Sequence, residues 1–238
     1  MKLNDLLTII IPCKNEKNII IKTLDLLNHQ TGIEGVKVIV CDSSDDSITK
    51  PSLLDRIEYE SDYFNLLIID GGLPSKARNN GFRLVSTPYV LFMDADIFLL
   101  NGDILSNVVS KIKNENLDLV TLRFRTDNGD YNYVYKIFDI IQKLSMLISP
   151  FCLGGFMLTK SLKFKEIGGF DEEAIVAEDY VYSKQIKRNM FKIHNAFLYT
   201  SPRRFHNKGL WYMTKLMIGS VLNKNNKEYF KDSKSYWS

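Results

Sequence analysis

Tyr89-Val90-Leu91-Phe92-Met93-Asp94-Ala95-Asp96 is the stretch of sequence that decides the fold. Its apolar run is rich in strand-forming residues and far too short to span a membrane, so it predicts a buried β-strand. The two aspartates follow where this strand ends, which in an open α/β sheet is the edge that binds ligands. Residues two positions apart in an extended segment point to the same side. Asp94 and Asp96 therefore predict a pair of carboxylates at the mouth of a cleft.

Two carboxylates in this position suit a hard divalent cation such as Mg2+ or Mn2+, which can in turn bind a diphosphate. Two acids after a strand are also typical of an ordinary solvated turn, because loop residues are polar in general. The D-x-D pattern alone does not separate these two interpretations, so the neighbouring sequence has to be considered.

The N-terminal region predicts a strand, a loop and a helix. The run 6–11 (Leu-Leu-Thr-Ile-Ile-Ile) is continuous and rich in β-branched residues, and it stops at Pro12. Such a run is typical of a central strand that is covered on both faces of a parallel sheet. A polar loop with Asn15 and Glu16 follows, and Asn15 is the expected N-cap of the first helix.

Two further apolar runs repeat this arrangement. The strand predicted at 36–41 ends in an acidic, serine-rich loop that begins at Asp42. The strand predicted at 65–69 ends at Asp70 and is followed by a helix with Pro74 in its first turn. This alternation of strands and helices predicts a single-domain α/β fold, a mostly parallel central sheet flanked by helices. A doubly wound sheet of this kind brings the polar strand ends to one edge.

The second half of the chain has a looser pattern. It predicts helices at 104–116 and 131–148, strands at 117–124 and 191–199, and a helix that opens at 177–179 with Glu178 and Asp179. Gly154 and Gly155 interrupt an apolar run, which indicates a close approach of the backbone to another group. Leu210, Met213, Met217 and Val221 predict a last, amphipathic helix followed by a lysine-rich tail.

The charge distribution divides the chain. Residues 182–238 contain twelve Lys and Arg and two Asp and Glu, a net charge of +10, whereas the whole chain carries +3. The remainder therefore carries 3 − 10 = −7. A basic C-terminal quarter either faces an anionic partner or simply keeps the surface soluble. No nucleic-acid motif accompanies these charges, so we expect no nucleic-acid partner. The last helix either lies on an anionic membrane or packs on the domain.

Length and cysteine content limit the class of protein. A chain of 238 residues fits one domain with a sizeable core. Three widely spaced cysteines form neither a disulfide framework nor a zinc site, so we expect a cytoplasmic protein. If the last helix lies on a membrane, this protein would sit at its inner face. No stretch has the apolar length of a membrane span or the shape of a signal peptide.

Taken together, the motifs resemble those of the family 2 glycosyltransferases of the inverting, GT-A fold class. The matching segments are TIIIPCKNE at 8–16, VIVCDSSDD at 38–46, KARNNG at 76–81, LFMDAD at 91–96, the glycine pairs at 154–155 and 168–169, and the E-D pair at 178–179. The resemblance covers about residues 8–205. It implies a sheet with a nucleotide-binding half at about 1–100, an acceptor-binding and catalytic half at about 101–208, and a C-terminal helix with a basic tail at about 209–238.

By this resemblance the chain transfers a sugar from a UDP- or GDP-sugar donor to a hydroxyl of a glycan or a lipid-linked acceptor, with Mn2+ or Mg2+ as cofactor. The donor would be bound by a set of residues at the strand ends and in the C-terminal region: Pro12, Asn15, Glu16, Asp42, Arg78, Asp94, Ala95, Asp96, Gly154, Gly155, Arg203 and Arg204. Arg78 would contact either the donor phosphates or the adjacent acidic loop. A divalent cation would neutralise the departing diphosphate.

The E-D pair supplies the expected base. Asp179 would deprotonate the acceptor hydroxyl, and Glu178 would orient the substrate or shape the site. An in-line single displacement needs one base, unlike the two-carboxylate scheme of the glycosidases. Acids at a helix N-terminus are also favoured by the helix dipole alone. His206 is either a third metal ligand beside Asp94 and Asp96 or a surface histidine in a basic loop.

Two other functions are compatible with parts of this sequence. A sugar-1-phosphate nucleotidyltransferase shares a similar sheet but would want a glycine-rich phosphate loop after the first strand, and the segment 12–16 contains no glycine. A degenerate glycosyltransferase would bind a nucleotide sugar without turning it over. The intact acidic pairs at 94–96 and 178–179 favour an enzyme over this binding module.

Overall fold

The computed structural model describes most of the chain. It covers residues 2–60, 62–148, 150–212, 214–215, 219, 223 and 226–231, without the side chains of residues 204 and 227. The strands are β1 (Leu7–Cys13), β2 (Lys37–Asp42), β3 (Asn65–Asp70), β4 (Tyr89–Met93), β5 (Ile97–Phe98), β6 (Leu119–Thr126), β7 (Phe156–Lys160) and β8 (Phe191–Thr200). The helices are α1 (Lys17–Asn28), α2 (Thr49–Glu60), α3 (Pro74–Phe82), α4 (Ile104–Asn114), α5 (Asn132–Ser145), α6 (Ser161–Ile167), α7 (Glu178–Ser183), α8 (Arg203–Lys208) and α9 (Lys227–Lys231).

The eight strands form one sheet in the order β3-β2-β1-β4-β7-β6-β8-β5. The first four neighbours run parallel, as the strand and helix alternation predicts. Beyond β4 the sheet is mixed, because β7 runs antiparallel to both β4 and β6, whereas β6 and β8 are parallel. The predicted α/β class is therefore confirmed. The sheet is parallel from β3 to β4 and mixed from β7 onward.

Strand β1 lies in the middle of the sheet and fills a core on each of its faces. Ile9 and Ile11 belong to one cluster of buried apolar side chains and Ile10 to the other. The strand does not stop at Pro12, as its sequence predicted, but continues to Cys13 paired with β2. A proline is tolerated at this position because the pairing of β1 with β4 ends at Ile10. Beyond Ile10, β4 accepts no backbone hydrogen bond from that side of β1, so the missing N–H of Pro12 costs nothing there.

Helix α2 was not predicted, and its sequence explains why. Only Thr49, Leu53 and Glu60 are buried along its twelve residues, so it lacks the apolar periodicity that reveals a helix. Its N-terminus is instead set by Asp46, whose carboxylate accepts hydrogen bonds from the backbone N–H of Thr49 (2.7 Å) and Ile48 (3.2 Å). Helix α2 therefore begins with a local capping contact rather than with an apolar face.

The last predicted helix lies largely outside the described residues. Residues 210–212 and 214–215 are helical, and Met213, Met217 and Val221 are not described. Its amphipathic character therefore stays a prediction. Within the described part of the chain, no helix is long and apolar enough to cross a membrane.

Candidate active site

The carboxyl ends of β1, β2 and β4 meet at one edge of the sheet, because these parallel strands are neighbours. The ends of these strands and the loops that follow them carry seven of the twelve residues predicted to bind a donor: Pro12, Asn15, Glu16, Asp42, Asp94, Ala95 and Asp96. They form two groups, one on the loops after β1 and β2 and the other around Arg78 beside the end of β4.

The first group is held together by Ser44. Its hydroxyl donates to Asp42 Oδ1 at 2.6 Å and accepts the backbone N–H of Asn15 at 2.9 Å. Asp42 itself is 5% exposed at the end of β2. Sequence analysis did not single out Ser44, although its place in the serine-rich loop was a signal. The serine thus fixes two predicted donor-binding residues relative to each other.

Asn15 does not cap α1, which corrects the sequence prediction. Helix α1 begins at Lys17, and its N-cap position is Glu16, without a side-chain capping hydrogen bond. Asn15 instead adopts a left-handed backbone conformation with φ 54°, which asparagine tolerates better than most residues. Its side chain accepts hydrogen bonds from the N–H of Asp45 (3.0 Å) and Asp46 (3.2 Å). Asn15 therefore ties the loop after β1 to the loop after β2.

Arg203 connects the C-terminal region to this group. Its guanidinium donates to the carboxylate of Glu16, which lies 187 positions earlier in the chain. A predicted donor-binding residue from each end of the chain is thereby brought to the same edge. The side chain of Arg204 lies outside the described part of the structure.

The second group is centred on Arg78 of α3. This arginine is 2% exposed, and its guanidinium donates to Asp94 Oδ1 at 2.6 Å and to Glu178 Oε1. Burial disfavours the charged guanidinium, but Asp94 and Glu178 outweigh this effect and raise the pKa of Arg78 above its usual value. Arg78 thus joins the end of β4 to the start of α7. A contact of Arg78 with the donor phosphates stays a prediction.

Asp179 follows Glu178 in the first turn of α7, and its side chain is half-buried. Burial and the charge of Glu178 raise the pKa of Asp179 to about 7, and the charge of Arg78 opposes this rise. A carboxyl group with its pKa near neutrality can accept a proton at physiological pH. The residue before the E-D pair, Ala177, has φ 54°, an unusual backbone conformation for alanine that aims the first turn of α7.

The two glycines predicted to approach another group do so in different ways. A Cβ atom on Gly154 would lie 3.0 Å from Asp179 Oδ2, so the missing side chain leaves room for the carboxylate. A Cβ atom on Gly155 would lie 2.8 Å from Ile97 Cδ1 and from Phe124 Cε1, both in the core. Gly154 therefore belongs to the site, whereas Gly155 serves the packing behind it.

Asp96 and Ala95 connect the end of β4 to β5. Asp96 is 6% exposed, and the Ala95 carbonyl accepts a hydrogen bond from Thr23 Oγ1 of α1 at 2.5 Å. His206 lies against Asp130, with 3.5 Å between Nε2 and Oδ2, and packs edge-on against the ring of Tyr131.

The donor set fits a divalent cation that is shared with a ligand. Among the described side chains, no three or more His, Cys, Asp or Glu converge as metal ligands do. Asp94 and Asp96 stand two positions apart directly after β4, and one oxygen of Asp94 accepts a hydrogen bond from Arg78 at 2.6 Å. Mg2+ and Mn2+ bind well through one or two carboxylates when diphosphate oxygens complete the coordination. The residues therefore suit a cation that arrives with a nucleoside diphosphate.

Asn79 fastens the loop that precedes the E-D pair. Its amide donates to the Phe170 carbonyl at 2.9 Å and to Glu172 Oε1 at 3.0 Å, and it accepts the Phe170 N–H at 3.0 Å. The ring of Phe170 in turn lies 5.5 Å from the Arg78 guanidinium. Asn79 stands next to Arg78 in the K-A-R-N motif, so its position in the sequence was the signal for a supporting role.

The eight-stranded mixed sheet flanked by helices has the GT-A fold, which similar solved structures share. Residues 8–168 match the model of Glycosyl transferase family 2, which is more than half of the 238 residues. The chain belongs to glycosyl transferase family 2.

Comparisons with individual proteins agree with this family. The chain is 31% identical over 97 residues to the poly(ribitol-phosphate) beta-glucosyltransferase of Bacillus spizizenii, and 34% identical over 90 residues to the amylovoran biosynthesis glycosyltransferase AmsB of Erwinia amylovora. The matches cover 39% and 37% of this chain. They cover 15% and 30% of those relatives, so this chain corresponds to only part of their length.

Solved structures share the fold at low sequence identity. The mannosyltransferase PcManGT from Pyrobaculum calidifontis, in complex with GDP-Man and Mn2+, aligns with a TM-score of 0.69 and 17% identity over 96% of this chain and 68% of that chain. Residues 1–349 of TarS from S. aureus, in complex with UDP-GlcNAc, align with a TM-score of 0.62 and 20% identity over 82% of this chain and 58% of that chain.

Proposed function

We propose that this chain is an inverting glycosyltransferase that moves a sugar from a UDP- or GDP-sugar to a hydroxyl of a glycan or lipid-linked acceptor. Family membership supports sugar transfer, and two similar structures hold UDP-GlcNAc and GDP-Man. The observation that carries the proposal is the position of Arg78. Its buried guanidinium binds Asp94 of the D-x-D motif and Glu178 beside the candidate base, and so joins the donor side to the acceptor side.

The donor would lie along the edge formed by β1, β2 and β4. Asn15 and Asp42 are fixed relative to each other through Ser44, which suits a pocket for a base and a ribose. Pro12 lies in β1 next to Cys41, at the same edge. The Glu16–Arg203 pair adjoins this pocket, and Arg203 could exchange its carboxylate partner for a diphosphate oxygen.

Asp94 and Asp96 would hold the cation together with the donor's diphosphate. A bound Mn2+ or Mg2+ neutralises the negative charge of the leaving nucleoside diphosphate. Arg78 would keep Asp94 in place through its hydrogen bond to Oδ1. His206 remains a candidate further ligand, for which it would have to leave Asp130.

Transfer would need one base. Asp179 would take the proton of the acceptor hydroxyl while that oxygen forms a bond to the anomeric carbon of the sugar. The bond from that carbon to the diphosphate oxygen breaks at the same time, and its electron pair leaves with the nucleoside diphosphate. Attack from the face opposite the leaving group inverts the anomeric centre. The gap above Gly154 would leave the carboxylate free to reach the acceptor.

The raised pKa of Asp179 gives this scheme a pH dependence. The base works only when it is ionised, so kcat/KM should rise with pH as it passes through about 7, the pKa of Asp179. Replacing Glu178 by glutamine removes the neighbouring charge that helps to raise this pKa. In the Glu178→Gln variant the rise should therefore move to lower pH.

The two halves of the chain would divide this work. We propose that residues 1–100 bind the nucleotide and residues 101–208 bind the acceptor and carry the base. The three cysteines are buried and unpaired by disulfides, which supports a reducing, cytoplasmic location.

A transfer assay with matched aspartate variants tests the proposal. Asp179→Asn should lower transfer at least about 100-fold, while binding of the nucleotide sugar is kept. Asp94→Ala and Asp96→Ala should lose both transfer and donor binding. Asp55→Asn, an exposed aspartate on α2, is the matched control and should behave like the wild type.

The outcomes separate the alternatives. Normal turnover by Asp179→Asn would show that Asp179 is not the base. Tight nucleotide binding by the wild type without transfer or donor hydrolysis would indicate a degenerate glycosyltransferase. Release of pyrophosphate from a nucleoside triphosphate and a sugar phosphate would indicate a nucleotidyltransferase instead.

A further inference from the structure

Helix α5 carries apolar side chains on two faces. One face packs against β6 and includes the buried Val134. At about 100° per residue, Ile137, Ile140, Ile141 and Leu144 fall on one arc about 100° wide on another side of the helix. Leu147 and Ile148 continue this group in the turn that follows α5, and all six side chains are between 42% and 84% exposed. We call this arc the exposed α5 face.

This clustering is unusual for a protein surface. Single exposed apolar residues such as Leu100 and Leu162 need no explanation. Six of them within twelve positions, all on one side, form a contiguous patch of the kind that marks an interaction site. Within the described part of the chain, no other helix has such a group of exposed apolar side chains.

The charges beside the exposed α5 face are basic. Lys136 and Lys143 are exposed and lie along one margin of the arc. The only acid within the helix, Asp139, is bound to Arg125 at 2.7 Å on the side that faces the protein. The long stems of lysine can lie along an apolar surface while the ammonium groups reach outward.

A basic cavity of about 180 Å³ adjoins the same margin. Arg123, Lys143 and Lys192 line it together with Asp139, so three cations face one carboxylate that is already paired. Lys192 also approaches Glu115 at 3.8 Å, a distance too long for a hydrogen bond. A cavity with this surplus of positive charge suits a phosphate group.

We propose that the exposed α5 face docks on an anionic lipid bilayer, with its apolar side chains in the interface and a lipid phosphate at the basic cavity. A helix with an apolar arc and lysines along its margin is typical of segments that lie in the plane of a membrane surface. Lysines near such a surface add attraction to anionic lipids.

The charges disfavour a second copy of this chain as the occupant. A two-fold dimer through this face would place the same patch against itself. The lysines at its margin would then approach the corresponding lysines of the other copy, without a carboxylate on the exposed arc to compensate them.

The position of this face connects it to the candidate active site. Gln142 of α5 donates to the Phe151 carbonyl at 3.1 Å, and the ring of Phe151 lies 5.6 Å from that of Tyr180. The segment after α5 leads directly to Gly154, which contacts Asp179. A membrane at α5 would thus lie near the side on which we place the acceptor.

Vesicle flotation tests the docking surface. The wild-type chain is mixed with phosphatidylcholine vesicles, either pure or with one third phosphatidylglycerol. The double variant Ile140→Ser, Leu144→Ser removes two apolar side chains at the centre of the arc. Leu162→Ser removes an even more exposed leucine from α6 and is the control. Lys136→Gln, Lys143→Gln neutralises the margin.

The proposal predicts a definite pattern. Wild type and Leu162→Ser should float with the anionic vesicles, and the Ile140→Ser, Leu144→Ser variant should bind them at least about tenfold more weakly. The lysine variant should lose about fivefold per lysine on anionic vesicles, and binding should weaken as salt is added. Thermal unfolding and donor binding should be unchanged in all of these variants, because none of the substituted residues lies in the candidate active site.

Two results would overturn the proposal. One is a wild-type chain that does not float with anionic vesicles, or that floats equally well after the Ile140 and Leu144 substitutions. The other is a wild-type dimer, measured by light scattering, that the same double variant converts to a monomer while vesicle binding is absent. That result would assign the exposed α5 face to a second copy of the chain.

Discussion

Replacing Asp179 by asparagine should stabilise the protein while it removes the candidate base. Burial and Glu178 raise the pKa of Asp179 to about 7 from its ordinary 3.8. In the unfolded chain this carboxyl loses its proton near the ordinary value, whereas the folded protein keeps it up to about pH 7. The unfolded state binds fewer protons over this interval, so wild-type stability falls as pH rises through it. Asparagine has no proton to lose, so this loss is absent in the variant.

The size of the effect follows from the same pKa. The interval from 3.8 to about 7 corresponds to roughly 4 kcal/mol at about 1.4 kcal/mol per pKa unit. Asp179 is half-buried, and solvent screening reduces the expected gain to about 1–2 kcal/mol at about pH 8. In a chain of 238 residues, this gain raises Tm by roughly 3–6 °C.

Thermal unfolding at several pH values measures this gain. Wild type, Asp179→Asn and the exposed control Asp55→Asn would be compared between about pH 4 and about pH 8. The difference between Asp179→Asn and wild type should be near zero at the acid end and reach its full value above about pH 7. Asp55→Asn should follow the wild type throughout. A difference independent of pH, or a variant less stable than wild type at the alkaline end, would refute the raised pKa.

Three other perturbations follow from the site. Arg78→Met should lower the free energy of unfolding by about 3–5 kcal/mol in urea titrations, because Asp94 and Glu178 lose their buried partner. An unchanged urea midpoint would contradict the pairing of Arg78 with these two carboxylates. Gly154→Ala should lower kcat with little change in Tm, since the added methyl group meets Asp179. Gly155→Ala should lower the free energy of unfolding by about 1–3 kcal/mol, because its methyl group meets the core. The reverse pattern would contradict the assignment of Gly154 to the site and of Gly155 to the core. Chelation with EDTA should lower transfer at least about tenfold, and added Mn2+ should restore it; full activity in EDTA would argue against a required cation.

Much of the structure of residues 1–100 could be predicted because its strands are continuous apolar runs with polar ends. The runs before Asp42, Asp70 and Asp94 each correspond to a strand of the parallel sheet. Helix α2 could not be predicted in the same way, because a half-exposed helix with few buried apolar residues leaves no periodic signal. The predicted end of β1 at Pro12 was wrong. A proline interrupts a strand only where a neighbouring strand needs a backbone N–H at that position.

The site was predicted as a set of residues but not as a set of contacts. The sequence motifs named Arg78, Asp94 and Glu178 as site residues, yet the sequence could not show that Arg78 binds both carboxylates. This pairing depends on where α7 packs in the fold, since Arg78 and Glu178 are 100 positions apart in the chain. Asn15 illustrates the same limit, since its side chain bonds to a loop about 30 positions away and not to the helix that follows it.

A thermal-shift screen of nucleotide sugars, each with and without Mn2+, tests the central claim most directly. Ligand at about 100 times its Kd stabilises a protein by about 2.7 kcal/mol, which for a chain of this size raises Tm by roughly 5–11 °C. The proposal predicts a rise of this size with one UDP- or GDP-sugar when Mn2+ is present, and little rise with either component alone. Asp96→Ala should abolish the rise. No shift with any nucleotide sugar, with or without the cation, would contradict a donor site at the end of β4.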